Sequence, residues 1–193
     1  MINNEQLNSL FSNTKNTTDY EEEKRKKKQK LVRNEFEKSG KYGMPLIKKQ
    51  NIDLDKIELL SYLKTKNDDE ENKNKTIHFF TYDWNFEAVY EKPEQSLEKL
   101  DQYYALLTPE FSTYKDMPLA KQIDSIFKNR WCGAFWQKQG MLVIPTISWG
   151  SYDCFDFFCD GVEEGSVVPV STYTREDNKK GFMEGYKIMM ERI

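Results

Sequence analysis

The sequence predicts an α/β fold in which a mostly parallel sheet is flanked by helices. Short apolar runs alternate with amphipathic segments of helical period, and strands that alternate with helices pair in parallel through crossover connections. A chain of 193 residues is long enough for one domain with a core. About five strands are too few for an eight-stranded barrel, so we expect an open or partial barrel.

The first 40 residues are expected to form a polar tail and a charged helix, followed by a single α/β domain over residues 41–193. Residues 1–18 are rich in Asn, Thr and Ser, which is typical of a mobile tail. Acidic residues precede basic ones over Glu21–Lys38, as the helix dipole favours, so we predict an exposed helix there. Lys26, Lys27 and Lys28 would contact nucleic-acid phosphates, or simply keep the helix solvated.

The domain is predicted to begin with a short helix and a strand. Asp53 or Asp55 can cap a helix that carries Ile57, Leu60 and Leu63 on one face. The apolar run Ile77–Thr81 reads as a strand, and His78 lies near its start.

The remaining elements continue the alternation of helices and strands. Pro and Gly mark several of their boundaries. In order, we predict a helix over Glu94–Tyr103, a strand over Tyr104–Leu107, a helix over Leu119–Lys138, strands over Met141–Ile147, Asp153–Phe158 and Ser166–Ser171, and a helix over Glu176–Arg192.

Composition excludes several classes of function. A formal charge of -3 is not that of a polycation that binds nucleic acid along its whole length. No apolar run is long enough for a membrane span, and the polar start lacks the apolar core of a signal peptide. We therefore expect no membrane partner and a cytoplasmic location, which is the host cytoplasm if a phage encodes the protein.

The Cys and His content also limits the chemistry. Three cysteines in apolar surroundings are typical of reduced, buried thiols. The only histidine is His78, so most zinc sites and most Ser-His-Asp triads are excluded. His78 is predicted at the start of a strand, which is the end opposite to the one where ligand sites usually form in a parallel sheet.

Candidate site residues follow the predicted strands. In a parallel α/β sheet, ligands bind at the carboxyl ends of the strands. There the sequence places Asp83, Glu87 and Glu110 as candidate catalytic residues. The candidate ligand-binding residues are Trp84, Trp149 and Asp160.

Paired carboxylates beside an aromatic ring suit three roles. They can act as general acid and base on a sugar, coordinate Mg²⁺ at a phosphate, or capture a polar ligand. Alternatively, Asp83 and Glu110 cap the helices that follow them, and Trp149 packs in the core. No protein-bound cofactor is required by any motif, and no metal ligand set is assigned.

Several blocks in a fixed order carry a family resemblance. The blocks are Leu107–Ser112, Asp116–Pro118, Arg130–Gln137, Val143–Trp149, Cys159–Gly161 and Gly165–Ser171. With these blocks the chain resembles, over roughly residues 42–193, an uncharacterised family classified as a domain of unknown function and found in phages and mobile elements of low-GC Gram-positive bacteria. The resemblance implies no known activity.

Two departures from the family pattern stand out. Glu110 occupies the place of an expected aspartate, and a strand expected after the last helix is missing. An exposed strand edge invites pairing, so we expect Pro45–Lys49 or a second copy of the protein, in a homodimer, to fill it.

These observations support two hypotheses of function. The first is a phage or mobile-element protein with a carboxylate-lined site for a small polar ligand, with hydrolysis as the candidate reaction. The alternative is a non-enzymatic accessory or counter-defence protein that binds nucleic acid or a host protein.

Overall fold

The computed structural model describes residues 17–30, 32–172 and 179–193, and the chain divides into two units, Met1–Glu35 and Phe36–Ile193. The described part of the first unit contains helix α1, Thr17–Lys28. This exposed, charged helix was predicted, but it starts earlier and ends sooner than Glu21–Lys38. It ends where Lys30 takes a left-handed φ of 53°, a conformation that a helix cannot continue through. Residues 1–16 of the predicted tail lie outside the described residues.

Four parallel strands form the main sheet of the second unit, which confirms the predicted α/β class. They are β3 (Leu59–Ser61), β4 (Thr76–His78), β5 (Ala105–Leu107) and β6 (Val143–Ile144), and they lie side by side in chain order. The sheet is open. A separate antiparallel pair precedes it, in which β1 (Lys38–Ser39) pairs with β2 (Met44–Pro45).

The helices of the second unit largely follow the predicted periodicity. A short helix, α2, covers Ala88–Glu91, and α3 covers Pro93–Leu100, which ends before the predicted Tyr103. Helix α4 has the predicted bounds, Leu119–Lys138, and α5 covers Lys179–Arg192. The predicted start of α5 at Glu176 lies outside the described residues.

Three predicted elements, one helix and two strands, were wrong. The helix predicted after Asp53 is replaced by β3, with short 3₁₀ helices at Leu54–Lys56 and Tyr62–Lys64 on either side. Its predicted apolar face is not buried, because Ile57 and Leu60 are only partly buried and Leu63 is exposed. Asp53 does cap the first 3₁₀ helix, accepting from the Asp55 N–H.

The strands predicted over Asp153–Phe158 and Ser166–Ser171 are also absent as such. A 3₁₀ helix at Tyr152–Cys154 and successive turns occupy the first, and a single parallel bridge between Val170 and Ile147 marks the second. Cys154, Phe157 and Phe158 are all buried. Their i, i+3, i+4 spacing belongs to a helical turn rather than to an alternating strand.

Residues of α4 belong to two apolar clusters. In the first cluster, Trp136 of α4 stacks on Phe79, with ring centroids 5.7 Å apart, beside Ile77 and Leu106 of the sheet. Gly133 allows this close approach: a Cβ there would lie 2.4 Å from Cδ1 of Ile47. A side chain at 133 would therefore require the side chains of Ile47 and Thr108 to shift.

The second cluster contains Trp149. Its indole stacks on Phe182 with centroids 5.2 Å apart and lies against Gly185 of α5, where a Cβ would come within 2.3 Å of Nε1. Phe158 and Met189 belong to the same cluster. Trp149 is thus a packing residue that fixes α5.

The outer edge of β6 is covered by side-chain amides. Gln50 Oε1 accepts from the Val143 N–H at 2.8 Å, and Gln50 Nε2 donates to the Met141 carbonyl at 3.2 Å. Gln137 makes the same two-way exchange with the backbone of Lys48. The Gln50 carboxamide therefore takes the place of a neighbouring strand at β6. In the predicted filler Pro45–Lys49, Ile47 forms a parallel bridge with Val162 instead.

A buried arginine joins α4 to the rest of the second unit. Arg130 donates to the carbonyls of Thr146 (3.1 Å), Phe158 (2.7 Å) and Asp160 (2.9 Å), and also to Oδ1 of Asn129. Burial lowers the pKa of Arg130 to about 10, so the guanidinium stays charged at neutral pH. Its hydrogen bonds offset the loss of water.

We expect Arg130→Met to lower the free energy of unfolding by about 3 kcal/mol or more, because several buried carbonyl groups lose their donor. Urea denaturation measures this change. The matched control is Arg192→Met, which removes an exposed guanidinium bonded to the Asp156 carbonyl. A loss of about 1 kcal/mol or less is expected for the control. Equal losses in the two variants would contradict the role given to Arg130.

Candidate functional site

The carboxyl ends of β4 and β5 bring two carboxyl groups together. Asp83 begins a 3₁₀ helix, Asp83–Asn85, a few residues after β4. Its carboxylate accepts from the Ser112 N–H at 3.0 Å and from the Ser112 Oγ–H at 2.9 Å. Since Ser112 follows β5, these bonds join the segments that leave two neighbouring strands.

Glu110 lies in the same β5 segment and is partly buried. Burial, and after it the negative charge of Asp83, raise the pKa of Glu110 to about 7. Both protonation states of Glu110 are therefore populated at neutral pH.

Asn129 of α4 holds the two residues that precede Glu110. Asn129 Nδ2 donates to the Pro109 carbonyl at 2.8 Å, and Thr108 Oγ1 donates to Asn129 Oδ1 at 2.9 Å. Thr108 Oγ1 also accepts from the Thr146 N–H at 2.7 Å. Helix α4 thus holds the end of β5 through hydrogen bonds made entirely in the interior.

This arrangement suits acid and base chemistry. Asp83 is an acceptor held in one orientation by two donors, and Glu110 carries a proton that it can give up near neutral pH. Pairs of titratable groups whose surroundings set different roles are typical of hydrolytic sites.

The other candidate residues lie in three places. Glu87 is exposed, and its N–H donates to the Asp83 carbonyl at 2.9 Å. Trp84 is exposed beside Asp83. Trp149 packs in the second cluster, and Asp160 lies beside Arg130 and Arg192, where burial raises its pKa. The structure groups Asp83, Trp84, Glu87 and Glu110 along two neighbouring segments, and it places Trp149 and Asp160 elsewhere.

His78 lies at the opposite end of its strand from the end that the sequence predicts. His78 is the last residue of β4, not the first, so it lies at the carboxyl edge. Its Nδ1 accepts from the Phe80 N–H at 3.3 Å, its ring stacks on Phe80, and burial lowers its pKa. The strand begins one residue before the apolar run and ends within it, a difference that the periodicity of five residues does not reveal.

The residues that the structure describes include no group of three or more His, Cys, Asp or Glu side chains placed to hold a metal ion. Cys132, Cys154 and Cys159 are buried. Burial raises the pKa of Cys154 and of Cys159 to about 11, so both are neutral thiols at pH 7.

The basic residues of α1 form a separate candidate. Lys26 pairs with Glu22 at 2.5 Å, one turn earlier. Lys27 and Lys28 are exposed in the last turn, together with Arg25.

The second unit is an open, parallel α/β domain with paired carboxyl groups at the carboxyl edge of its sheet. The chain belongs to the family described as "Domain of unknown function (DUF4417)", which matches residues 36–193. None of the described helices is both long and apolar enough to cross a membrane.

Two curated relatives are phage proteins. The chain is 40% identical over 119 residues to the "Gene 1 protein" of Mycobacterium phage D29, a match that covers 60% of this chain and 44% of the relative. It is 38% identical over 142 residues to the "Gene 1 protein" of Mycobacterium phage L5, covering 73% and 61%. The chain therefore spans less than two thirds of these relatives. No solved structure matches it.

The pKa of Glu110 predicts how stability changes with pH. Between about pH 4.5 and 7 the folded state keeps a proton that the unfolded state loses, so rising pH lowers the stability of the protein. Glu110→Gln cannot ionise. We expect it to match the parent protein below about pH 4.5 and to exceed it by on the order of 1–3 kcal/mol at pH 8.

Urea denaturation at several pH values measures this difference. The control is the exposed Glu87→Gln, which should follow the parent protein at every pH. A Glu110→Gln variant whose stability runs parallel to that of the parent protein from pH 4 to 8 would show that Glu110 titrates normally.

Proposed function

We propose that the carboxyl pair of Asp83 and Glu110 is the binding site for a small polar ligand. The observation that supports it is the meeting of two carboxyl groups from the ends of neighbouring strands, one held by Ser112 and the other partly buried. A ligand that offers both a donor and an acceptor fits the pair, because Asp83 accepts hydrogen bonds and protonated Glu110 donates one.

Hydrolysis is the reaction that we infer for this pair. Asp83 would take a proton from a water molecule while the oxygen of that water forms a bond to the ligand. Glu110 would give a proton to the leaving group while the bond between the ligand and the leaving group breaks. A glycosidic or other acetal-like bond suits two carboxyl groups without a metal. For a phosphate ester, Mg²⁺ bound by the same carboxylates would be needed to offset the negative charge.

The setting of the protein is part of the same proposal. The phage relatives and the buried cysteines favour the reducing cytoplasm of an infected cell. We also propose a low-GC Gram-positive host and a homodimer. We further propose that a polar tail and a charged helix over residues 1–40 precede a domain over residues 41–193.

A thermal-shift screen tests the ligand site. The ligands are neutral saccharides and nucleotides, each with and without Mg²⁺, because a ligand that binds only the folded protein raises its melting temperature. We expect one class to give a shift that is lost in Asp83→Asn and Glu110→Gln and kept in Glu87→Gln. Any hydrolysis of that ligand, followed by chromatography, should fall at least about 100-fold in Glu110→Gln. A shift that survives both substitutions would place binding elsewhere.

Nucleic-acid binding by α1 is the second candidate. The observation in its favour is a last turn made of Arg25 and Lys26–Lys28, with Lys27 and Lys28 exposed. Lysine side chains that neutralise phosphates release counterions, so such binding weakens as salt rises.

Charge reversal separates this candidate from a solvated helix. Changing Lys26, Lys27 and Lys28 to Glu should weaken binding of a DNA or RNA duplex and flatten its dependence on log salt by about one unit for each lost phosphate contact. The control reverses Lys64, Lys92 and Lys121, which are exposed in the second unit. Fluorescence anisotropy measures both. This candidate would be ruled out by equal weakening in the two triple variants. It would also be ruled out if no binding were detected in low salt, at about 20 mM.

A further inference from the structure

Two aromatic rings are exposed on a turn of the second unit. Tyr82 is 64% exposed and Trp84 is 72% exposed. Their rings stack on each other with centroids 4.4 Å apart and an interplanar angle of 13°. We call this pair the aromatic platform.

The turn that carries the platform is anchored on both sides. Phe79 and Phe86 are buried in the first apolar cluster. Within the turn, Asn85 Nδ2 donates to Thr81 Oγ1 at 2.9 Å, and the Asn85 N–H donates to the Tyr82 carbonyl at 2.9 Å. Asp83 is held by Ser112. The platform is therefore preorganised, and a partner that binds it need not order the backbone.

The exposure of the platform calls for a functional explanation. Large aromatic rings contribute most to stability when they are buried, and neighbouring Phe79 and Phe86 are used in that way. A stacked pair of rings that is left in solvent on a rigid turn is typical of an interaction site.

The charge around the platform favours a cation. Residues 79–91 contain Asp83, Glu87 and Glu91 and no Lys, Arg or His. Glu87 and Glu91 are exposed. The faces of aromatic rings are negative as well, so the ring quadrupoles and the carboxylates attract the same sign of charge. An anionic strand of nucleic acid would be repelled here.

We propose that the aromatic platform docks an arginine-bearing segment of a partner protein. A guanidinium is planar, stacks on an indole face and forms two parallel hydrogen bonds with a carboxylate, whereas an ammonium group does neither. Trp84 offers the open ring, and Glu87 offers a carboxylate on the same exposed segment. The guanidinium would contact Trp84 and Glu87, and not the Asp83 and Glu110 carboxyl groups of the proposed ligand site.

Isothermal titration calorimetry of the full chain with hexa-arginine, hexa-lysine and hexa-glutamate peptides at low ionic strength tests the proposal. We expect hexa-arginine to bind most tightly, hexa-lysine more weakly and hexa-glutamate not at all. Trp84→Leu should weaken hexa-arginine binding by about three- to tenfold, and Glu87→Gln should weaken it and reduce its salt dependence.

The matched control is Tyr114→Leu, which removes a ring that is 61% exposed on a different loop. It should leave the affinity for hexa-arginine unchanged. The proposal would be overturned if Trp84→Leu left the affinity for hexa-arginine unchanged, or if Tyr114→Leu lowered that affinity equally. Equal affinity for the arginine and lysine peptides would also overturn it.

Discussion

The buried guanidinium of Arg130 is the constraint on which the second unit depends. A charge that has left water must have its donors met by the protein, or the folded state loses several kcal/mol. Arg130 meets this need with main-chain carbonyls from residues 146, 158 and 160. Those carbonyls belong to the segment after β6 and to the turns that replace a predicted strand. One side chain therefore determines how α4, the sheet and the irregular region before α5 fit together.

The same interior network reaches the proposed site. Asn129, the neighbour of Arg130, bonds the end of β5 at Thr108 and Pro109, and the next residue is Glu110. Glu110 is therefore placed by the core rather than by a loose surface loop. Asp83 is fixed from the other side by Ser112. Burial of the Glu110 carboxyl group, and after it the negative charge of Asp83, raise the pKa of Glu110 to about 7.

The sequence predicts most of the regular structure and less of the site. The bounds of α4 follow from its long amphipathic run between proline and glycine, and the parallel sheet follows from the alternation of elements. The region after Trp149 was misread because three buried residues at helical spacing also look like an apolar strand. The grouping of Asp83 and Glu110 at one edge was expected from the rule for parallel sheets. Burial of Glu110, the placement of His78 and the cover that Gln50 gives to β6 depend on long-range contacts that local patterns do not encode.

The titration of Glu110 tests the central claim most directly. Carbon-13 NMR of the side-chain carboxyl group, in the parent protein and in Asp83→Asn, measures its pKa without relying on any ligand. We expect a midpoint near 7 in the parent protein. In Asp83→Asn we expect a lower value that still exceeds 4.5, because burial remains when the neighbouring charge is removed. A midpoint at the ordinary value of 4.5 in the parent protein, unchanged by Asp83→Asn, would contradict it.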